Sequence, residues 1–127
     1  MSNYVPSVLI IDEIGFARVC SAFIEAEGFQ ARTHAEAVDE FQAPPQGAFC
    51  LVITSFNHAV AFRAEIKKLG IPTIVLADHL SQSLITLLEN FDNSYGMIKP
   101  LDYRKFIALV RQIIHGEKAC CGGYSIV

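Results

Sequence analysis

Apolar positions recur along the chain in two alternating periods. Short, nearly continuous apolar runs at residues 5–11, 29–33, 49–55, 71–77 and 95–98 read as buried strands. Between them apolar residues fall three or four apart, the spacing of one helix face. Phe16, Val19, Cys20, Phe23 and Ile24 mark a first helix that stops at Gly28. A short second helix is expected over residues 34–41, ended by Pro44-Pro45. A third covers residues 59–69 and closes at Gly70. Leu80, Leu84, Leu87, Leu88 and Phe91 stripe a fourth, which ends near Asp92-Asn93. Phe106, Leu109, Val110, Ile113 and Ile114 give the fifth and most regular stripe.

Strands buried on both faces and separated by helices predict an α/β domain with a doubly wound, five-stranded parallel sheet. Its expected strand order is 2-1-3-4-5, the flavodoxin-like arrangement. In such sheets ligands and chemistry gather beyond the carboxyl ends of the strands. That rule brings Asp12, Glu13, Ser55, Asn57, Asp78 and Lys99 to one rim. The domain is expected over residues 1–116, with 117–127 as a tail or linker.

Composition narrows the function. A chain of 127 residues, half of them apolar, has enough material for one hydrophobic core. A formal net charge of −3 gives no basic footprint, so no nucleic-acid role is expected. No apolar run approaches the roughly 20 residues of a membrane span, and Met1-Ser2-Asn3-Tyr4 lacks signal-peptide character, so no membrane contact and a cytoplasmic location are expected. Cys20 and Cys50 fall in apolar segments and read as small buried hydrophobes. Cys120-Cys121 lies in the tail and has no second ligand pair to complete a metal site.

Four segments carry a family resemblance. VLIIDE (8–13) ends in an acidic pair, LVITS (51–55) ends in Ser55, PTIVLA (72–77) ends in Ala77, and MIKPLD (97–102) holds Lys99-Pro100. Their order and their fit to strand ends resemble the response-regulator receiver (CheY-like) family over about residues 5–115. The resemblance implies a phosphoacceptor aspartate where this chain has Ser55. It implies Mg²⁺ held by Asp12, Glu13 and the backbone carbonyl of Asn57, and a lysine at Lys99. It also implies a hydroxyl at position 77 and an aromatic at position 96 that together relay phosphorylation. Here those positions hold Ala77 and Gly96, and the Met-Pro and Asp-Gly loop that usually follows the acceptor is missing.

Chemistry says what such a set retains. An aspartate is ionised at neutral pH and attacks phosphorus directly, whereas a serine hydroxyl needs a base to take its proton. With one carboxylate fewer, weak Mg²⁺ binding at best is expected, and no other cofactor. A Lys99 ammonium beside Asp12 would neutralise a partly buried acid. Other sets on the rim are conceivable: His58 and His79 with Asp12 as metal ligands, or Ser55-His58-Asp78 as a hydrolytic group. No Gly-x-Ser-x-Gly turn surrounds Ser55.

The expected function is therefore that of a pseudo-receiver: no enzyme, but a phosphorylation-independent protein-interaction module in two-component-type signalling. Its expected partner is a kinase or output protein, with a homodimer as a further assembly. The alternatives are a residual metal-dependent or enzyme-like site on the rim, and a receiver modified at Ser55. In the family the fourth helix, fifth strand and fifth helix form the usual docking face. Tyr95, Leu101 and Tyr103 would be exposed anchors on or beside it.

Overall fold

In the computed structural model the described residues are 7–34, 49–91, 93–116 and 123–127. The elements run β1 (Ser7–Ile11), α1 (Ile14–Ala26), β2 (Gln30–Thr33), β3 (Phe49–Ser55), α2 (Phe56–Ala61), α3 (Arg63–Leu69), β4 (Thr73–Ala77), α4 (Gln82–Glu89), β5 (Asn93–Ile98), α5 (Tyr103–Ile114) and β6 (Gly123–Ile126). All strand pairs are parallel, in the order β2-β1-β3-β4-β5-β6. The doubly wound sheet is thus as expected except that it has a sixth strand. That strand comes from the segment expected to be a tail. The short helix expected over residues 34–41 and the Cys120-Cys121 pair lie outside the described residues.

The period of two in each strand divides the core into two layers. Val8, Ile10, Leu51, Ile53, Ile74, Leu76, Tyr95 and Met97 face α1 and α5, meeting Cys20, Ile24, Phe106 and Val110. Leu9, Ile11, Val52 and Val75 point the other way, onto Ala59, Ile66, Leu84 and Leu88 of α2, α3 and α4. A register slip of one residue would exchange the layers, so the pattern itself pins the pairing. Each fully buried Leu or Ile contributes roughly 1.5–3 kcal/mol by leaving water. Truncation of Leu9, which has no exposed surface, would cost about 2–5 kcal/mol.

Local signals set the helix ends. Ser81 caps α4, its hydroxyl accepting from the Leu84 amide at 3.1 Å. Asp102 caps α5, accepting from the amides of Arg104 and Lys105. Gly70 closes α3 in the left-handed conformation, φ 65°, which a residue without Cβ adopts freely.

Two boundaries differ from expectation. A helix begins at Phe56, directly after β3, and Phe62 divides residues 56–69 into α2 and α3. Neither proline nor glycine marks that break in the sequence. Leu80, expected on the buried stripe of α4, precedes the Ser81 cap and is exposed.

Candidate functional site

β1, β3, β4 and β5 end on one side of the sheet and frame a cavity of about 520 Å³. Asp12, Glu13, Ser55, Asn57, His58 and Lys99 line it, with Ala77, Asp78 and His79 along the β4 side. Every residue that the strand-end rule assigned to the rim is on it.

Asp12 sits between β1 and α1 with its side chain only 6% exposed. Its Oδ1 accepts the Glu13 amide at 2.8 Å. Its Oδ2 is buried with no hydrogen-bond partner among the described residues. A desolvated carboxylate oxygen without a partner is costly, and the amino end of α1 beside it offsets part of that cost.

Ser55 ends β3 and forms the N-cap position of α2, yet its hydroxyl caps no backbone amide. It is hydrogen-bonded instead to His58 Nδ1 at 2.8 Å, one helical turn onward. Asp12 Oδ1 approaches the same nitrogen, at 3.7 Å. A nucleophilic relay needs the hydroxyl on one ring nitrogen and the carboxylate on the other. Here both compete for Nδ1, so the three groups do not form a relay. The carboxylate facing His58 is Asp12 rather than the Asp78 of the hydrolytic set.

Lys99 follows β5, its amide donating to the Ala77 carbonyl at 2.8 Å across a cis Lys99–Pro100 bond's amino side. Among the described residues its ammonium forms no direct salt bridge with Asp12 or Glu13, although all three line the cavity. Nζ lies over the Phe16 ring, 5.5 Å from the centroid, in a cation–π arrangement. Phe16 is thus a site residue that the sequence offered only as part of a helix stripe.

The metal implied by the family fits these residues only in part. Asp12 offers an unpartnered oxygen, but Glu13 is exposed and Ser55 supplies no charge. Asn57 stands in the first turn of α2, where carbonyls run along the helix axis. Among the described residues no three of His, Cys, Asp or Glu converge as a metal cluster, which also removes the set of Asp12, His58 and His79.

Under the rim, Cys20 is fully buried. Burial pushes its thiol up to about 12; the negative charge of Asp12 adds to that and Lys99 opposes it. Cys50 is only half-buried, and burial raises its thiol too. A protonated, inaccessible sulfur at position 20 is an inert packing group.

The relay positions carry no relay chemistry. Ala77 is a buried methyl at the end of β4. Gly96 faces Leu84 and Leu88 of α4. Tyr95, expected as an exposed anchor, is 6% exposed and packs in the α1–α5 layer. The reason is the two-sided cover of β5: the face opposite Gly96 is also core. Leu101 and Tyr103 are half-buried against the same layer, and Tyr103 stacks on Phe23 with ring centroids 4.4 Å apart. These residues serve mainly internal packing.

No protein-family model and no curated protein matches the sequence. Solved structures do match in fold. A two-component response regulator from Clostridium difficile superposes with a TM-score of 0.71 at 17% identity, covering 90% of this chain and 99% of its own. A response regulator receiver protein from Sinorhizobium medicae gives 0.71 at 15% identity, covering 92% and 100%. A CheY-like receiver domain protein from Methanospirillum hungatei gives 0.68 at 14% identity, covering 90% and 97%. The chain therefore has the fold of response-regulator receiver domains.

Proposed function

We propose that this chain is a pseudo-receiver: a receiver-fold module of two-component-type signalling that works by binding protein partners, without aspartyl phosphorylation. The observation that carries the reading is Ser55, which stands at the end of β3 with its hydroxyl bound to His58. In a receiver fold that place faces the acidic pair and calls for a carboxylate nucleophile. Serine brings neither the charge nor the leaving-group chemistry of an acyl phosphate. Ala77 and Gly96 support the same reading, because neither offers a hydroxyl or an aromatic ring to report a phosphoryl group. The partner class is a kinase or output protein, met in the cytoplasm, and the domain itself performs no catalysis. Among the described residues no helix is long and apolar enough to cross a membrane.

Intact-mass measurement after incubation with acetyl phosphate and Mg²⁺ tests this reading. The wild type should gain no phosphate, while Ser55→Asp should gain a labile one. Stoichiometric phosphate on the wild type would overturn the proposal.

The unpartnered Asp12 Oδ2 favours one second reading, a weak cation site at Asp12 and Glu13. It predicts saturable Mg²⁺ binding that Asp12→Asn abolishes.

A further inference from the structure

The β5 edge carries a fit that the rim does not explain. β6 lies parallel to β5, with Tyr124 beside Ser94, Ser125 beside Tyr95 and Ile126 beside Gly96. The Val127 amide donates to the Gly96 carbonyl at 2.8 Å. Ile126 fills a notch that exists because position 96 has no side chain. A Cβ there would lie 3.0 Å from Ile126 Cδ1 and 3.0 Å from Leu88 Cδ1.

The strand seated in this notch is lightly held. Every described residue of 123–127 is exposed, and Ile126 itself remains 41% exposed. β6 is attached along one edge by main-chain bonds, with Ile126 in the notch. Such an element opens at far smaller free energy than the core strands. Opening leaves β5 with unpaired N–H and C=O groups beside an apolar notch, the two ingredients of strand addition. None of Gly123–Val127 is charged or proline, the residues that commonly guard an edge against pairing.

We propose that the β5 edge and its Gly96 notch form a strand-acceptor site, and that its ligand in trans is residues 123–127 of a second copy of this chain. The segment known to fit is the chain's own: direction, register and the Ile126–Gly96 match are already realised within one molecule. The same segment from another copy makes the same contacts, so exchange needs no new surface. Reciprocal exchange uses each notch once and closes as a dimer.

Complementation between two full-length variants tests the proposal. Ile126→Asp spoils the strand and keeps the notch; Gly96→Val fills the notch and keeps the strand. By sedimentation velocity each variant alone should stay monomeric, and an equimolar mixture should form a 1:1 dimer. A mixture that stays monomeric while both chains keep native circular dichroism would overturn exchange. So would Gly96→Val dimerising by itself, which would place the contact on the outer edge of β6.

A labelled peptide of residues 122–127 gives a second arm. It should bind the Ile126→Asp chain saturably, bind the wild type more weakly because the resident strand competes, and weaken about tenfold when its isoleucine becomes alanine. No binding to a folded Ile126→Asp chain overturns the site, and this arm decides if Gly96→Val fails to fold. Failure of Ile126→Asp to fold would show that β6 is not separable, which also overturns it. None of these outcomes bears on Ser55.

Discussion

The rim and the β5 edge satisfy their groups in opposite ways. At the rim charged side chains line an open cavity. Asp12 keeps a buried oxygen without a partner, Lys99 turns to Phe16, and Ser55 is engaged by His58. At the edge a position without a side chain is closed by packing. Gly96 leaves a notch, and Ile126 of β6 occupies it. The rim is an open cavity with unsatisfied polarity; the edge is filled. A rim open to solvent tolerates polar groups that find no protein partner, because water can reach most of them. A vacated core position must be refilled, since a void forfeits the contacts of every atom around it.

The contrast gives predictions of decreasing size. Alkaline pH probes the floor of the rim. The Cys20 thiol is raised in the folded state, so the folded chain holds this proton more tightly than the unfolded chain. The contribution is complete below pH 9 and is lost as pH rises from 9 towards 12. The unfolding free energy from denaturant titration should fall across that window by on the order of a few kcal/mol in total, and Cys20→Ala should flatten the fall. At the edge, Gly96→Val should cost about 1–3 kcal/mol in urea unfolding, because its side chain meets Ile126 and Leu88. The loss should shrink when Ile126→Ala is added, and a loss independent of Ile126 would break the account of the notch.

The rim should respond with the other sign. Asp12→Asn should stabilise the fold by about 1 kcal/mol, since it relieves the charge on a carboxylate whose Oδ2 is buried without a hydrogen-bond partner among the described residues. Destabilisation would mean that the charge is balanced by a group not recognised above. The smallest effect belongs to Ser55→Ala, about 0.5–1 kcal/mol for the hydrogen bond to His58. The His58 ring resonances should shift at the same time.

Much of this was legible from residue pattern alone. β1, β3, β4 and β5 read correctly because each carries a buried apolar run, whereas β2 is a strand as expected but exposed to half-buried along its length; strand ends alone placed Asp12, Ser55, Asp78 and Lys99 on one rim. What stayed hidden depends on tertiary choice. Nothing at Ser55-Phe56 signals that the strand passes into a helix without a loop, because one serine serves as strand end and N-cap position. Four residues of β6 are too few to establish a period, and their meaning depends on a notch at Gly96 that exists only once α4 is packed. Tyr95 was placed on a docking face by resemblance, whereas two-sided cover of β5 buries it. The direction of the Lys99 side chain is a competition between Asp12 and the Phe16 face, which spacing along the chain does not decide.

The most direct test is a two-dimensional amide NMR titration with Mg²⁺ and then beryllofluoride, on the wild type and on Ser55→Asp. The account predicts a wild type silent to beryllofluoride. In Ser55→Asp it predicts shifts around residues 12, 55 and 99 that do not reach residues 94–97 or 123–127. Saturable shifts around Asp12, Ser55 and Lys99 on adding beryllofluoride to the wild type would contradict the claim that the domain signals without phosphorylation.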